Sequence, residues 1–115
     1  MQSGRWSAVL VALAWPLPPA QAPPSTPSKL VQLREEARQL AARRCGSCHS
    51  SKSPSAKPRA VQIFDTERTD WSSRMSDAQL RKALQRFGAP SIPPDELQRV
   101  TAYVDAELAD RQNRP

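Results

Sequence analysis

Apolar residues recur at three- and four-residue spacing in three stretches of this chain, and no stretch alternates apolar and polar residues over the length of a useful strand. The first stretch, "KLVQLREEARQLAARR", follows Ser28, a candidate N-cap, and runs up to Cys45. Between residues 50 and 73, prolines and small polar residues predict a loop with one turn of helix, in which Phe64 and Trp71 pack on apolar neighbours. The pattern predicts an all-α chain.

Two further helices follow this loop. The second begins at Ser76, whose partner Gln79 completes the capping-box spacing, and it ends at Gly88. "GAPSIPP" is a rigid connector, and Pro94 then opens a third helix. The apolar line of this third helix is Leu97, Val100, Val104 and Leu108, with Tyr103 beside it. Helices of this size with few large side chains enclose little core, so we expect another group to fill the middle.

The first quarter of the chain differs from the rest. Its 115 residues, of which 38% are hydrophobic, predict one small domain. The opening segment has one cation, an apolar run from Ala8 to Trp15 and a small-x-small site, which is typical of a secretory signal peptide and is shorter than the roughly 20 residues that span a bilayer. We predict a signal peptide at 1–22, a flexible Pro/Ser linker at 23–28, one domain at 29–112 and a tail at 113–115. The expected location is the periplasm, with no transmembrane span after signal cleavage, or with a membrane tether if the signal is not cleaved.

Both cysteines and the only histidine of the chain lie within five residues, in the stretch "RRCGSCHSSK". Cys-x-x-Cys-His is the attachment sequence of a c-type haem. Two thiols at this spacing reach the two vinyl groups of one porphyrin, and the imidazole that follows becomes an axial ligand of the iron. A covalent haem would also supply the missing core, against which five side chains could pack: Leu40, Phe64, Trp71, Leu84 and Tyr103.

Three other interpretations of this motif stay open. A structural or redox disulfide between Cys45 and Cys48 suits an exported protein, although thioredoxin-like motifs lie between a strand and a helix, and here a helix precedes the motif. A zinc site would need Asp or Glu as its fourth ligand, because no His or Cys is left. Coincidence would require two cysteines and a lone histidine to fall in register just after an amphipathic helix.

Over about 28–110 the chain resembles a small monohaem class I cytochrome c, of the c-type cytochrome family. The resemblance rests on the helix that ends in the Cys-x-x-Cys-His motif, the loop, the "MSDAQLRKAL" helix and the closing helix "PPDELQRVTAYVDAEL" with its Tyr103. It implies Cys45 and Cys48 as the haem-attachment residues and His49 as the proximal iron ligand. It also implies three main helices wrapped around one covalent haem c.

The chain departs from that family at the sixth ligand of the iron. In the family a methionine, usually followed by proline, comes from the loop before the last helix, but here that loop reads "GAPSIPPDEL". His49 is the only histidine and Met1 lies in the leader, which leaves Met75 as the candidate distal ligand. The alternatives are that Met75 only fills space in the core, that a lysine such as Lys52 or Lys57 takes its place, or that the distal side has a wholly different arrangement.

The distal ligand decides the function. A methionine–histidine iron favours reversible one-electron transfer, whereas a vacant distal site binds small ligands such as CO, NO or peroxide. We therefore predict an electron carrier rather than an enzyme. The alternative is a five-coordinate c-type haem protein that binds or reduces a small ligand, as a sensor or a peroxidase-like enzyme.

The charge of the chain bears on its partners. It carries 17 Lys and Arg against 11 Asp and Glu, a formal net charge of +6. Because cations and acids are interleaved on the helical faces, and because an exported protein meets little nucleic acid, no nucleic-acid partner is expected. The cations that flank the motif are Arg43, Arg44, Lys52, Lys57 and Arg59. They predict redox partner proteins with an acidic docking surface, and association rates that fall as salt rises.

Overall fold

The computed structural model describes Gly4, residues 27–89 and residues 91–114. It contains four α-helices: α1 (Pro27–His49), α2 (Pro58–Ile63), α3 (Asp77–Phe87) and α4 (Pro94–Asn113). No strand occurs in these ranges, so the all-α prediction is confirmed for the described chain, and α2 is the single helical turn expected in the long loop. Of the predicted signal peptide, all but Gly4 lies outside the described residues. None of the four helices is both long enough and apolar enough to cross a membrane.

Helix α1 differs from its prediction at both ends. It begins at Pro27, so Ser28 lies inside the first turn and the N-cap prediction is wrong; the last two residues of the predicted linker are helical. A proline fits this first position because its missing amide hydrogen has no partner inside the helix. At the other end the helix continues through the motif to His49, and the Ser50 amide still donates to the Gly46 carbonyl at 3.1 Å.

Helices α3 and α4 begin where their sequence signals predict. The Ser76 hydroxyl accepts from the Gln79 amide at 3.1 Å, and the Gln79 side chain accepts from the Ser76 amide at 2.9 Å, so both halves of the capping box form. Gly88 is the C-cap of α3, as predicted. Helix α4 starts at Pro94 and ends at Asn113, the first residue of the predicted tail.

The core lies where α4 packs on both α1 and α3, with α2 lying against α1. Tyr103 is fully buried, at 0% exposure. Phe64 and Trp71 are buried with it, as predicted, and their rings meet edge to face with centroids 5.5 Å apart. The buried apolar cluster consists of Leu30, Ala37, Leu40, Phe64, Trp71, Met75, Leu80, Phe87, Val100, Tyr103 and Val104. The chain thus closes a core of its own beside the motif.

Candidate functional site

The Cys-x-x-Cys-His motif is the last turn of α1, and the loop that follows it satisfies the end of this helix. The last four carbonyl groups of a helix have no partner within it. Here each one accepts a hydrogen bond: Gly46 from the Ser50 amide (3.1 Å), Ser47 from the Ser53 and Ser55 hydroxyls (2.9 and 2.8 Å), Cys48 from the Lys57 amide (3.0 Å) and His49 from the Thr66 amide (2.9 Å). The small polar residues of this loop therefore hold the motif in a fixed position.

Cys45 and Cys48 are three residues apart on α1, a spacing that places both on one side of the helix. Both are partly buried and they are not joined by a disulfide. Burial, with a smaller contribution from the neighbouring Cys48 thiol, raises the pKa of the Cys45 thiol. Cys45 is therefore held as a neutral thiol at neutral pH.

The His49 imidazole is oriented from two directions. Its Nδ1 lies 2.8 Å from the Ala60 carbonyl oxygen and 3.3 Å from that of Phe64. A carbonyl oxygen only accepts, so Nδ1 donates and the neutral ring keeps the lone pair on Nε2, the tautomer that can ligate a metal. The Phe64 ring stacks on the imidazole with centroids 3.8 Å apart and planes 2° from parallel. The end of α2 thus sets both the tautomer and the plane of His49.

A cavity of about 240 Å³ opens beside this turn of α1. It brings together three of the four residues that the sequence selected, because Cys45, His49 and Met75 all line it, whereas Cys48 does not. The other residues lining it are Ile63, Phe64, Gln79, Lys82, Ala83 and Arg86. A smaller apolar cavity of about 30 Å³ shares Cys45, Phe64 and Ala83 with it and extends into the core. A third cleft, of about 290 Å³, shares Ile63 and Phe64 with the first but contains no cysteine, histidine or methionine.

Met75 reaches this cavity from the segment before α3. Its side chain is buried, with 2% of its surface exposed. Its amide donates to the Ser72 carbonyl at 3.2 Å, and its carbonyl accepts from Arg111 at 2.7 Å. Both backbone groups of Met75 are therefore bonded, while the thioether is left among the residues that line the cavity.

Arg111 and its partner Glu107 were not singled out by the sequence analysis. Glu107 is buried, at 3% exposure, and accepts from Arg34 and Arg111, both at 3.1 Å. The signal that could have found them is their spacing, since Tyr103, Glu107 and Arg111 recur every four residues and so share the buried face of α4. Because Glu107 and Arg111 lie on the same face of α4 as the buried Tyr103, their spacing indicates a buried ion pair rather than two solvated side chains.

Three of the five cations that flank the motif are ion-paired. Arg43 and Arg44 both bind Glu96 of α4, at 3.3 and 2.8 Å. Lys52 is likewise 3.6 Å from a carboxylate. In contrast, Lys82 and Arg86 line the cavity and form no ion pair with any residue the structure describes. Lys57 and Arg59 on the motif side also form no ion pair with described residues, but the cations that line the cavity itself are those of α3.

A bare metal ion and a haem require different donor groups from a protein. Within residues 27–89 and 91–114, no three His, Cys, Asp or Glu side chains are grouped so as to hold a metal ion. A haem iron takes its equatorial ligands from the porphyrin and needs only axial ligands from the protein. The cavity lining holds an imidazole, a thioether and one thiol, that of Cys45, which are groups that a covalent haem could use, while Cys48 lies outside this lining. Comparisons with protein-family models, curated proteins and solved structures found no match for this chain.

Proposed function

We propose that this chain is a c-type cytochrome of the periplasm that carries one electron on a single covalently attached haem. The observation that carries the proposal is the cavity at the end of α1, where Cys45 and Met75 meet an imidazole whose Nδ1 is committed to the Ala60 carbonyl. An imidazole held in this tautomer is the form that ligates iron. The haem-wrapped bundle and the export signal belong to the same proposal.

Each residue has a separate task in this proposal. Cys45 and Cys48 would hold the porphyrin by thioether bonds, His49 would ligate the iron through Nε2, and Met75 would offer its thioether as the distal ligand. When bound, the haem supplies the reversible one-electron couple of its iron. The chain contributes fixed ligands, because the carbonyl of Ala60 orients the imidazole and buried backbone bonds hold Met75.

Apolar side chains around the cavity would keep water away from the iron. Phe64 is buried against the imidazole, and Ile63 and Ala83 complete the apolar lining. A drier site keeps the ligands in place in both oxidation states and raises the cost of charge on the iron, which tunes its potential. Lys82 and Arg86 at the same cavity would favour a redox partner with an acidic docking surface.

A second candidate is a five-coordinate haem protein that binds or reduces a small ligand. One observation favours it: Met75 belongs to the buried apolar cluster, which is what a methionine that only fills space would do. In that case the distal side of the iron would be open to CO, NO or peroxide. The two candidates share the same attachment residues and differ only in the task of Met75.

The experiment is an absorption spectrum of the full chain, purified after co-expression with a haem-attachment system, in the oxidised and reduced states. A carrier shows low-spin haem, the weak far-red band of a methionine–iron(III) bond, and no spectral change when CO is added to the reduced form. Cys45→Ser with Cys48→Ser removes the covalent haem. Met75→Leu removes the far-red band, whereas Lys52→Ala, the matched test of a lysine ligand, keeps it.

The same spectra separate the alternatives. A high-spin protein whose reduced form binds CO assigns the five-coordinate function. A far-red band that survives Met75→Leu refutes Met75 as the ligand. A colourless protein, obtained while a control cytochrome matures in the same cells, refutes the haem proposal as a whole.

A further inference from the structure

The segment that delivers Met75 to the cavity is tied to α4 by one side chain. The guanidinium of Arg111 donates to the carbonyl oxygens of Ser72 at 3.2 Å and Met75 at 2.7 Å. It also donates to the carboxylate of Asp77 at 3.0 Å. Arg111 therefore spans the segment from its turn to the start of α3, and it holds the backbone on both sides of the Met75 side chain.

The guanidinium is itself held in position. Its Nε donates to the buried Glu107 at 3.1 Å, and 18% of the Arg111 side chain is exposed. Glu107 receives a second bond from Arg34 of α1, so its carboxylate is fixed from two helices. Because Glu107 occupies Nε, the two terminal nitrogens of the planar guanidinium are the ones that bond segment 72–77.

Segment 72–76 is restrained at its two ends, where the buried Ser72 hydroxyl is hydrogen-bonded to that of Tyr103 and Ser76 makes both bonds of the capping box. It lies between the buried Trp71 and the first residue of α3, and it contains no regular structure. Its local backbone bonds run from Ser73 to the Asp70 carbonyl at 3.0 Å and from Met75 to the Ser72 carbonyl at 3.2 Å. Between its two ends, the backbone of this segment is held by these turn bonds, and a short irregular stretch of this kind opens easily unless contacts from outside hold it. Of those contacts, the bonds from Arg111 are the ones that reach the backbone of Met75 itself.

We infer that Arg111, oriented by Glu107, is a positioning residue for Met75, fixing the thioether in the cavity that Cys45 and His49 line. As a statement about an iron ligand this rests on the proposed function. As a statement about the chain it concerns only the order of segment 72–77. Arg111 itself is not among the residues that line the cavity, and its hydrogen bonds go to Glu107, Met75, Asp77 and Ser72.

The test uses the full chain, purified after co-expression with a haem-attachment system, and two readouts. Hydrogen exchange, followed by mass spectrometry, measures the opening of segment 72–77 whether or not haem is bound. The far-red band of the ferric protein measures the methionine–iron bond. Arg111→Gln is compared with Arg99→Gln, which removes the same charge from α4. The wild-type Arg99 side chain is exposed and forms no ion pair with a described residue.

Loss of charge-assisted hydrogen bonds to two carbonyls should speed exchange in segment 72–77 by about ten- to a hundredfold in Arg111→Gln. Exchange in α1 should stay as in the wild type. In the haem-loaded protein the far-red band should weaken or vanish while the haem stays attached. Arg99→Gln should leave both readouts unchanged. Exchange in segment 72–77 that is equal in Arg111→Gln and the wild type overturns the inference, and so does a far-red band of undiminished strength.

Two further outcomes are decided by the same measurements. If Arg111→Gln loses its helical circular dichroism, Arg111→Lys is measured instead, because lysine keeps the positive charge beside Glu107 but offers one nitrogen in place of the three of the guanidinium. Faster exchange in segment 72–77 of Arg111→Lys, with its helices retained, supports the inference. Exchange equal to that of the wild type overturns it. If the wild type takes up no haem, the proposed function fails, and exchange alone then decides whether Arg111 orders the Met75 segment. A wild type with haem but no far-red band overturns the ligand-positioning role.

Discussion

Glu107→Gln tests whether the buried carboxylate stabilises the fold. Glu107 is 3% exposed and accepts from Arg34 and Arg111, each at 3.1 Å, with Arg114 at 3.6 Å. Glutamine keeps the shape of the side chain but has one acceptor oxygen and a donor amide. The amide nitrogen must then face a guanidinium N–H, so one charge-assisted bond is lost and two donors are brought together.

The magnitude follows from the burial of the partners. Removing one member of a fully buried ion pair costs about 3–5 kcal/mol, because the remaining charge is left without a partner. Here the side chains of Arg34 and Arg111 are 25% and 18% exposed, so water takes over part of the lost interaction. The remaining cost approaches that of one charge-assisted hydrogen bond, about 2 kcal/mol. With a urea m-value near 1.3 kcal/mol/M, the unfolding midpoint should fall by about 1.5 M.

Urea denaturation followed by helical circular dichroism measures this change. Asp110→Asn is the matched control on the same helix, because its ion pair with Arg114 lies at the surface and should contribute less than about 0.5 kcal/mol. In a double-mutant cycle of Glu107→Gln with Arg34→Gln, the combined loss should be smaller than the sum of the single losses. A loss below about 0.5 kcal/mol in Glu107→Gln, equal to that of the control, would refute the account of a buried network.

Three further changes test local features. Ser76→Ala breaks the capping box and should cost about 1 kcal/mol of unfolding free energy in urea, whereas Ser73→Ala should cost little. Trp71→Phe keeps the buried ring but loses the indole bond to the Arg34 carbonyl at 3.2 Å, and it should cost about 1 kcal/mol in the same assay. Burial alone would raise the pKa of Asp65, but hydrogen bonds to its carboxylate outweigh burial and lower it. The carboxylate therefore stabilises the fold above about pH 4 and stops doing so as the pH falls through the lowered pKa. Asp65→Asn should accordingly be less stable than the wild type at neutral pH, and the difference should shrink in urea titrations below about pH 4; a difference that is constant with pH would contradict this assignment.

Local signals predicted most of the helices. The capping residues of α3 and the proline that opens α4 act through bonds within a few residues, so their effect can be seen in the sequence. The predicted start of α1 was wrong because two residues compete for it. Ser28 is a typical N-cap, but Pro27, one residue earlier, is favoured at the first position of a helix. The candidate site could be found in the same way, because Cys45, Cys48 and His49 lie within five residues of one another.

Contacts between distant residues could not be predicted in this way. Arg34 and Glu107 are 73 residues apart, and their pairing depends on how α1 and α4 are aligned. The same alignment brings Glu96 to Arg43 and Arg44, so that one carboxylate offsets part of the charge that the sequence assigned to a docking surface. Met75 could be selected from the sequence because the other methionine and histidine candidates were excluded one by one. Its position in the same cavity as His49 is known only from the fold. The haem, the electron-transfer function and the export signal remain predictions.

The packing of α1 on α4 also governs when this chain can fold. The buried face of α1, with Leu30, Ala37 and Leu40, has its partner in a helix that begins at Pro94. Joining the two requires closure of a long intervening loop, an entropic cost that is met before the contacts form. As the chain is made from its N-terminus, the core cannot close until α4 has emerged. The turn of α1 that carries Cys45 and Cys48 therefore has no closed core beside it until α4 is available to pack on α1.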